Sequence, residues 1–386
     1  MKRSILFIVL VGWVFQVFAQ ENYKGVDPNH EVRFYRAKEF YDVPLIKQVD
    51  VDRLPKNVIF MIGDGMGIAQ VSAALFANKG KLFLNNFVHC GYSQTQSASD
   101  FITDSSAGGT ALSTGTRTRN GYVAKDTAHK DLTTILEYAE SKKLKTGLIS
   151  TSAVTHATPA SFIAHQDARE SYEDIALDFL KTDIDLFIGG GYNHFARRSD
   201  GRNLLDSLKN RGYFVSTTID SILEKGSTKL ACLTAPEHTG RLPERGNMLP
   251  EATRMALEIL SRDSAGFFLM VEGSQIDWGG HNNDTRYVVQ ETLDFDKAIG
   301  EALKFAANDG QTLIVVTADH ETGGMSLLGG DIEKGFIHGG YSTGNHTGVM
   351  VPVFAYGPGA FLFTGIMKNT DIFNSVYKLL IAETRE

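Results

Sequence analysis

The sequence has few cysteines, no surplus of positive charge and no internal repeat. Cys90 and Cys232 are the two cysteines among 386 residues. Two cysteines are too few for disulfides to stabilise a fold of this size, and the sequence leaves open whether they pair. The formal net charge of −7 argues against a nucleic-acid backbone as a general partner. No low-complexity linker interrupts the chain, which favours a single folded domain.

The N-terminus has the features of a secretory signal peptide. Lys2 and Arg3 form a positive segment, and the apolar stretch that follows, residues 5–15, is too short to span a bilayer comfortably. Val17-Phe18-Ala19 offers a small-residue cleavage site. Because no cysteine follows at the lipoprotein position, we expect residues 1–19 to be removed from a soluble exported protein, periplasmic or secreted, without membrane attachment. The alternative is an uncleaved N-terminal anchor.

The remaining chain predicts a polar N-terminal arm (residues 20–56) and one α/β domain (residues 57–386). Hydrophobic residues make up 42% and charged residues 22%, as in an ordinary soluble globular enzyme. Short apolar runs alternate with amphipathic stretches, which indicates a mainly parallel central sheet with helices on both faces. The predicted strands are Val58–Ile62, Thr146–Ser150, Leu186–Ile188, Phe267–Val271, Thr312–Thr317 and Val351–Tyr356. The predicted helices include Leu132–Ala139, Ser171–Leu180, Glu251–Arg262, Arg286–Ala307 and Asp371–Ala382.

Carboxylates follow three of the predicted strands. Asp64 comes after the first strand, Glu272 after the fourth and Asp319 after the fifth. In open α/β sheets, ligands bind beyond the carboxyl ends of the strands. We therefore expect these three side chains to meet at one edge of the sheet.

Histidines near these carboxylates suggest a metal site. Asp277 and His281 are four residues apart, which places both on one face of a helical turn. His320 follows Asp319 at a strand end, and glycines flank His346. Carboxylates and imidazoles together suit Zn²⁺ and Mg²⁺. Taken singly, these residues could instead be a surface pair, a helix cap or solvated histidines.

A serine nucleophile is predicted beside the metals. Asp104-Ser105 opens a stretch, Ala107–Thr114, that can be helical, and a helix N-terminus binds phosphate and favours an alkoxide. The alternative is a simple helix cap. Arg169 has a planar guanidinium that suits two phosphate oxygens, although nothing local distinguishes it from other cations. Together these residues suggest metal-assisted phosphoryl transfer through a phosphoserine.

Taken together, the motifs resemble those of the alkaline phosphatases. The resemblance runs from about residue 57 to residue 358. The motifs that carry it are Asn57–Gly67, Thr103–Gly121, Ala157–Arg169, Val271–His281, Thr317–Gly324 and Tyr341–Gly348. It implies a three-layer α/β sandwich that hydrolyses small phosphate monoesters, usually as a homodimer.

The resemblance also implies roles for individual residues. Ser105 would be the nucleophile, and Asp104 would orient Arg169. Two zinc ions and one magnesium ion would be held by three sets of residues: Asp277, His281 and His346; Asp64, Asp319 and His320; and Asp64, Thr158 and Glu272.

Two positions depart from well-studied bacterial members of that family. His156 and Trp278 stand where those members carry an aspartate and a lysine. A histidine at this position would tune the third metal site toward Zn²⁺ or weaken Mg²⁺ binding. Trp278 removes a positive charge from the phosphate pocket, so we expect weaker phosphate retention and faster turnover.

Three rival functions compete with this interpretation. A sulfatase needs a Cys/Ser-x-Pro-x-Arg segment, whereas Ser105 is followed by Ser106-Ala107-Gly108-Gly109. A phosphodiesterase needs room for a second ester group, which the sequence leaves open. A non-catalytic phosphate- or metal-binding scavenger would be expected to lose a ligand or Ser105, and none is missing.

Overall fold

The computed structural model describes residues 27, 29–219 and 229–381 of the chain. The predicted signal peptide lies outside these residues. Within the described ranges, no helix has the length and apolar character needed to cross a bilayer. The division into a signal peptide, an arm and one catalytic domain stays a prediction.

The strands follow the apolar runs of the sequence closely. All six predicted strands are present. The strands are β1 (Phe34–Arg36), β2 (Asn57–Gly63), β3 (His89–Gln94), β4 (Lys145–Ala153), β5 (Leu186–Gly190), β6 (Phe214–Ser216), β7 (Leu230–Ala235), β8 (Phe267–Gly273), β9 (Thr312–Thr317), β10 (Glu321–Thr322), β11 (Met325–Asp331), β12 (Phe336–Tyr341), β13 (His346–Thr347), β14 (Val351–Tyr356) and β15 (Gly365–Lys368).

The helices are close to prediction but differ at their ends. The stretch predicted from Ala107 begins two residues earlier, at Ser105. The helices are α1 (Ile68–Ala77), α2 (Ser105–Thr114), α3 (Ile135–Ser141), α4 (Ala157–Ala160), α5 (Tyr172–Asp178), α6 (Tyr192–Ala196), α7 (Leu204–Asn210), α8 (Leu242–Arg245), α9 (Met248–Leu260), α10 (Gln275–His281), α11 (Thr285–Asp309) and α12 (Asn369–Ile381). Short 3₁₀ turns span Glu31–Arg33, Phe83–Asn86, Ile332–Lys334 and Ala360–Phe363.

One large sheet organises the described part of the chain, in the order β15-β3-β14-β9-β2-β8-β4-β5-β7-β6. Parallel pairing runs from β9 through β2, β8, β4, β5 and β7 to β6. The strand β14 is antiparallel to both β9 and β3. The prediction of a mainly parallel α/β sheet is therefore confirmed. Strand β3 was not predicted, because its sequence, His-Cys-Gly-Tyr-Ser-Gln, contains no apolar run.

The core lies on both faces of this sheet. Successive side chains of a strand point to opposite faces. Ile59 and Met61 of β2 therefore join a cluster with α1, α9 and α11. Val58 and Phe60 join a second cluster with α2, α3 and α12. Covering both faces buries β2 and β8 completely, which is why these strands read as continuous apolar runs.

The two cysteines are unpaired. Cys90 lies on β3 and Cys232 on β7, and both are free. Six strands of the sheet separate β3 from β7, which corresponds to about 30 Å or more at the usual strand spacing. A disulfide requires Cα atoms within about 7 Å, so these two residues cannot pair within one chain. Cys90 is exposed, whereas Cys232 is buried.

The described part of the predicted arm contacts α11 at Tyr41. Residues 37–56 contain no regular helix or strand. The Tyr41 hydroxyl donates to Asp296 Oδ2 at 2.6 Å, and Asn78 exchanges hydrogen bonds with the Tyr41 backbone at 3.0 Å. These bonds hold the arm through side chains of the domain.

Candidate active site

The carboxyl edge of the parallel strands gathers the predicted carboxylates. Asp64 follows β2, Glu272 is the second-last residue of β8 and Asp319 lies two residues after β9. All three are 0–1% exposed. The Asp64 N–H donates to the carbonyl of Gly273 at 3.2 Å, which ties two strand ends together. Parallel strands end at the same edge, and this geometry places three acidic side chains in one buried volume.

A first cluster combines Asp277, His281 and His346. Asp277 and His281 lie one turn apart on α10, and His346 begins β13. The His281 Nε2 atom is 3.3 Å from Asp277 Oδ2, and the His346 Nε2 atom is 3.5 Å from Asp277 Oδ1. One ligand atom from each residue lies within 4.8 Å of the others. The structure thus brings together the three residues of the first predicted zinc set.

The hydrogen bonds of these histidines aim lone pairs at one point. Nδ1 of His281 lies 2.7 Å from the carbonyl of Gly344, and Nδ1 of His346 lies 2.9 Å from the carbonyl of Thr103. A carbonyl only accepts, so each Nδ1 carries the hydrogen and each neutral ring has its lone pair on Nε2. The two Nε2 atoms are 3.1 Å apart. Two lone pairs so close repel each other unless a cation lies between them, and backbone bonds of this kind orient metal-binding histidines.

A second cluster surrounds His320. Ligand atoms of Asp64, Asp277 and His320 lie within 4.8 Å of one another. The sequence predicted Asp319 in place of Asp277, and Asp319 Oδ2 lies 3.2 Å from His320 Nε2. Both acids therefore face this histidine. Ser105 completes the cluster, because its Oγ lies 3.2 Å from His320 Nε2.

A third cluster consists of Asp64, His156 and Glu272, all buried, with ligand atoms within 4.8 Å of one another. Thr158 lies beside it and donates from Oγ1 to Asp64 Oδ2 at 3.3 Å. Ser150 donates to Glu272 Oε2 at 2.6 Å. The sequence predicted Asp64, Thr158 and Glu272 as the set. The structure adds His156 as a nitrogen donor at the same position.

The donor atoms fit metal ions. Three buried carboxylate oxygens have no hydrogen-bond partner: Asp64 Oδ1, Glu272 Oε1 and Asp319 Oδ2. The ring nitrogen Nδ1 of His156 is also buried and has no partner. A buried ionised oxygen without a donor is costly. Carboxylate oxygens suit Mg²⁺, and mixed carboxylate and imidazole sets suit Zn²⁺. These orphaned atoms therefore match the divalent ions that the sequence predicted.

Burial and mutual repulsion raise the pKa values of most of these acids. Burial, with added repulsion from Asp277, raises the pKa of Asp319 to about 7. Burial also raises the pKa of Glu272 to about 7, although the hydrogen bond from Ser150 opposes it. Burial and the nearby Asp319 hold the pKa of Asp64 well above its usual range. A divalent cation would reverse these shifts by favouring the ionised oxygens.

Asp277 and the neighbouring histidines behave differently. Burial acts to raise the pKa of Asp277, but in the metal-free protein hydrogen bonds from the protonated Nε2 atoms of His281 and His346 outweigh it and hold the value well below the usual range. A bound metal ion would replace these two protons. Burial, together with repulsion from His346, holds the pKa of His320 well below its usual value. Burial and the Arg169 cation lower the pKa of His156 to about 3. Neutral His320 and His156 rings retain a lone pair for a metal.

Ser105 is the first residue of α2, and Asp104 is its N-cap. The Asp104 carboxylate accepts from the Ala107 N–H at 2.9 Å and from the Gly121 N–H at 2.9 Å. Arg169 Nη1 donates to the same carboxylate at 3.1 Å. Attraction to Asp104 raises the pKa of Arg169 against the opposing effect of burial. Asp104 therefore caps the helix and also holds the half-buried guanidinium beside the serine.

Sequence reasoning missed several supporting side chains. Thr322 donates to Asp277 Oδ1 and lies 3.2 Å from His320 Nδ1, so one hydroxyl links two clusters. His238 packs edge-on against His156 and Trp278, with ring centroids 5.4 Å and 4.9 Å away. No motif pointed to His238, since it comes from a loop far away in sequence. Thr322 could have been predicted from the sequence, because it lies two residues after His320.

The fold and the buried donor set place this chain among the metal-dependent hydrolases of the α/β class. The comparison with known proteins is more specific. The chain belongs to the alkaline phosphatase family, whose sequence profile matches residues 55–337. It is a metal-binding enzyme that hydrolyses phosphate monoesters, as the resemblance implied.

Individual relatives agree with this assignment. Alkaline phosphatase 3 of Bacillus subtilis is 33% identical, over 84% of this chain and 89% of the relative. The solved alkaline phosphatase of the Antarctic bacterium TAB5 is 40% identical and superimposes with a TM-score of 0.82, covering 86% of this chain and 100% of that one. A variant of the TAB5 enzyme, with a histidine replaced by aspartate, was solved with magnesium bound in its M3 site; its TM-score is 0.81 at 40% identity, covering 87% of this chain and 100% of that one.

Proposed function

We propose that this chain hydrolyses phosphate monoesters through a covalent phosphoserine on Ser105. The observation that carries this proposal is the position of Ser105 Oγ, 3.2 Å from His320 Nε2 at the N-terminus of α2. A hydroxyl at this point faces the candidate metal donors and the positive end of a helix dipole. Arg169 lies within the same pocket through its bond to Asp104.

The three clusters would hold two zinc ions and one magnesium ion. Asp277, His281 and His346 would bind one zinc ion, and His320 with Asp64 and Asp319 would bind the other. Asp64 and Glu272 would hold magnesium beside Thr158, with His156 as a further donor. The ions would polarise the serine hydroxyl and neutralise charge on the attacking and leaving oxygens.

The residues of the chain account for both chemical steps. Ser105 Oγ attacks phosphorus and loses its proton as the ester P–O bond breaks, and the protonated alcohol leaves. Water then attacks the phosphoserine, the Ser105 O–P bond breaks and inorganic phosphate leaves while the serine regains a proton. Arg169 holds two phosphate oxygens through both steps. Two in-line displacements predict net retention at phosphorus.

The decisive experiment is hydrolysis of a chromogenic aryl phosphate monoester at alkaline pH. It compares the wild type with Zn²⁺ and Mg²⁺, the wild type with chelator, and Ser105→Ala. We expect metal-dependent turnover that Ser105→Ala reduces by at least about 10³-fold. Turnover of an aryl diester or sulfate in place of the monoester would contradict the proposed substrate class. Inversion of a chiral phosphate ester would contradict the phosphoserine.

The mature enzyme is proposed to be a homodimer. Several apolar side chains are exposed near the β15 edge of the sheet: Tyr92 and Ile366 are neighbours in register on β3 and β15, and Val349 and Met350 precede β14. The Phe101 ring packs over the backbone just before Val349. Patches of this kind mark protein interfaces. Light scattering should give a dimer mass, and Ile366→Glu should shift it toward a monomer.

Export is proposed on the basis of the N-terminal pattern. The chain would be cleaved after Ala19 and act in the periplasm or outside the cell, where it would release phosphate from varied monoesters. Mass spectrometry of the mature protein tests this directly. A mature N-terminus at Gln20 supports the proposal, and an intact Met1 contradicts it.

A further inference from the structure

Glu321 is a buried carboxylate that no proposed step uses. It follows His320 directly and is 3% exposed. Within the described ranges no cation lies within ion-pair distance of it. Its charge is met by four hydrogen bonds. Oε1 accepts from Gln70 Nε2 at 2.7 Å and from the Met325 N–H at 3.0 Å. Oε2 accepts from the Gly324 N–H at 3.2 Å and from the Thr347 hydroxyl.

These donors come from the segments that carry the candidate metal ligands. Gln70 lies on α1, directly after the loop that bears Asp64, and also donates to the Thr322 carbonyl at 2.9 Å. Thr347 follows His346. Strands β10 and β13 pair in antiparallel register, with Glu321 opposite Thr347. The Glu321 carboxylate therefore connects three segments: the loop after β2 that carries Asp64, strand β10, which directly follows His320, and strand β13, which begins with His346.

The glycine at position 67 makes room for this side chain. A Cβ atom on Gly67 would lie 2.4 Å from Glu321 Cγ and 2.9 Å from Gln70 Oε1. Gly67 has φ −76°, so its backbone conformation is open to any residue. The requirement for glycine here is the close approach of Glu321, which explains the last glycine of the Gly63-Asp64-Gly65-Met66-Gly67 motif.

We propose that Glu321 is a positioning residue that holds His320 and His346 at the spacing needed to retain metal ions. The inference rests on the proposed function, because it assumes that these histidines bind zinc. A carboxylate can accept all four hydrogen bonds, whereas an amide must turn an NH₂ group toward two of the donors. Glu321→Gln would therefore set its NH₂ group against the backbone N–H of either Met325 or Gly324, which can only donate, with little change in side-chain size.

Asp296 provides a matched control. It is another buried carboxylate with no ion-pair partner in the described part of the chain. It accepts from the Tyr41 hydroxyl at 2.6 Å and from the Phe83 and Leu84 N–H groups at 2.8 and 3.1 Å. None of these partners lies in the candidate site. Asp296→Asn should therefore lower stability without changing metal retention.

The test measures zinc release into a colorimetric chelator from the wild type, E321Q and D296N. We expect release from E321Q to be about 10- to 100-fold faster, the range found for residues that orient metal ligands. We also expect kcat of E321Q at limiting zinc to fall and to recover in excess zinc, with little change in KM. D296N should release zinc at the wild-type rate. Should E321Q fail to fold, G67A displaces the same side chain and should also accelerate release.

Two outcomes would overturn the inference, and they are distinguishable. Wild-type protein that retains no zinc contradicts the proposed function, and the inference fails with it. Wild-type protein that retains zinc, with E321Q or G67A releasing it at the same rate, leaves the proposed function intact and overturns the role of Glu321 alone.

Discussion

Two groups of buried charges in this molecule are compensated in different ways. Near α8, the Arg245 guanidinium contacts Asp294 Oδ2 at 2.7 Å and donates to Glu291 Oε1 at 3.1 Å. All three side chains are buried. At the carboxyl edge of the sheet, Asp64 and Asp319 are equally buried, and each keeps an oxygen without a hydrogen-bond donor, as Asp294 Oδ1 also does. Among the described residues, however, no lysine or arginine lies within ion-pair distance of Asp64 or Asp319, whereas Arg245 contacts Asp294.

The difference shows how to separate a structural charge cluster from a functional one. A buried carboxylate is tolerated when the chain itself supplies a cation or hydrogen-bond donors. The Arg245 cluster largely meets this condition, although burial still raises the pKa of Asp294 to about 6. The site leaves its carboxylates to be neutralised by protons or by ions from outside. Burial alone therefore does not mark the site, and missing compensation does.

The largest expected effect comes from removing one carboxylate in each group. Asp64→Asn removes an acid shared by two clusters, so transition-state stabilisation of several kcal/mol should be lost, and kcat/KM should fall by about 10³-fold or more. Asp294→Asn should instead lower the free energy of unfolding by about 3 kcal/mol with little effect on kcat/KM of the folded enzyme. Aryl phosphate hydrolysis and urea unfolding measure both. Equal losses of activity in the two variants would contradict the distinction.

Arg169 and Arg245 offer a second comparison. Arg169→Lys keeps the positive charge but loses the planar guanidinium that can bind two oxygens, whereas Arg169→Ala loses both. We therefore expect kcat/KM to fall by about 10²- to 10³-fold in the alanine variant and by less in the lysine variant. Arg245→Lys should affect unfolding and leave kcat/KM near the wild-type value. Steady-state kinetics with thermal melts make the comparison. An Arg245→Lys enzyme as impaired as Arg169→Ala would refute it.

Metal removal should make stability depend on pH. In chelator, folded Glu272 and Asp319 hold protons up to about pH 7 that the unfolded chain has already lost. The free energy of unfolding should therefore fall as pH rises from about 6.5 to 8. His156 and His320, whose pKa values are lowered, act in the opposite direction mainly below about pH 6.5, and their effect fades by about pH 7.5.

Bound ions replace these protons, so stabilisation by Zn²⁺ and Mg²⁺ should grow across the same pH range. Denaturant unfolding at several pH values, with metals and with chelator, gives this difference directly. Other groups with raised pKa values, such as Glu140, cancel in the subtraction. A metal-dependent stabilisation that stays constant from pH 6.5 to 8 would argue against the site as the source.

The smallest expected effect concerns Trp278, which packs against His156 and His238. Trp278→Lys introduces a cation beside the phosphate pocket. A charge a few ångströms from phosphate in a solvated pocket contributes about 1 kcal/mol, so the inhibition constant for phosphate should fall by about fivefold. Trp278→Gln is the neutral control. No tightening in the lysine variant, or equal tightening in both, would contradict the proposed role of this position.

Much of the site could be predicted because its residues fall at strand ends. The apolar run of β2 ends at Asp64, and the run of β8 ends at Glu272. A sheet of parallel strands brings such positions together whatever the helices between them contain. The predicted residues from Ser105 to His346 are accordingly found in one region. Their individual roles stay proposals, since chemistry has to be tested on the enzyme.

The sequence by itself determined the α/β class, the sheet edge that bears the site and the chemical types of its ligands. These follow from local patterns: strand periodicity, helix caps and the residue that ends each strand. Only the tertiary structure decided that Asp277 faces His320, that His238 packs against His156 and that Glu321 packs on Gly67. Each of these contacts joins segments distant in the chain. Their distances depend on how strands and loops pack together, which no local pattern encodes.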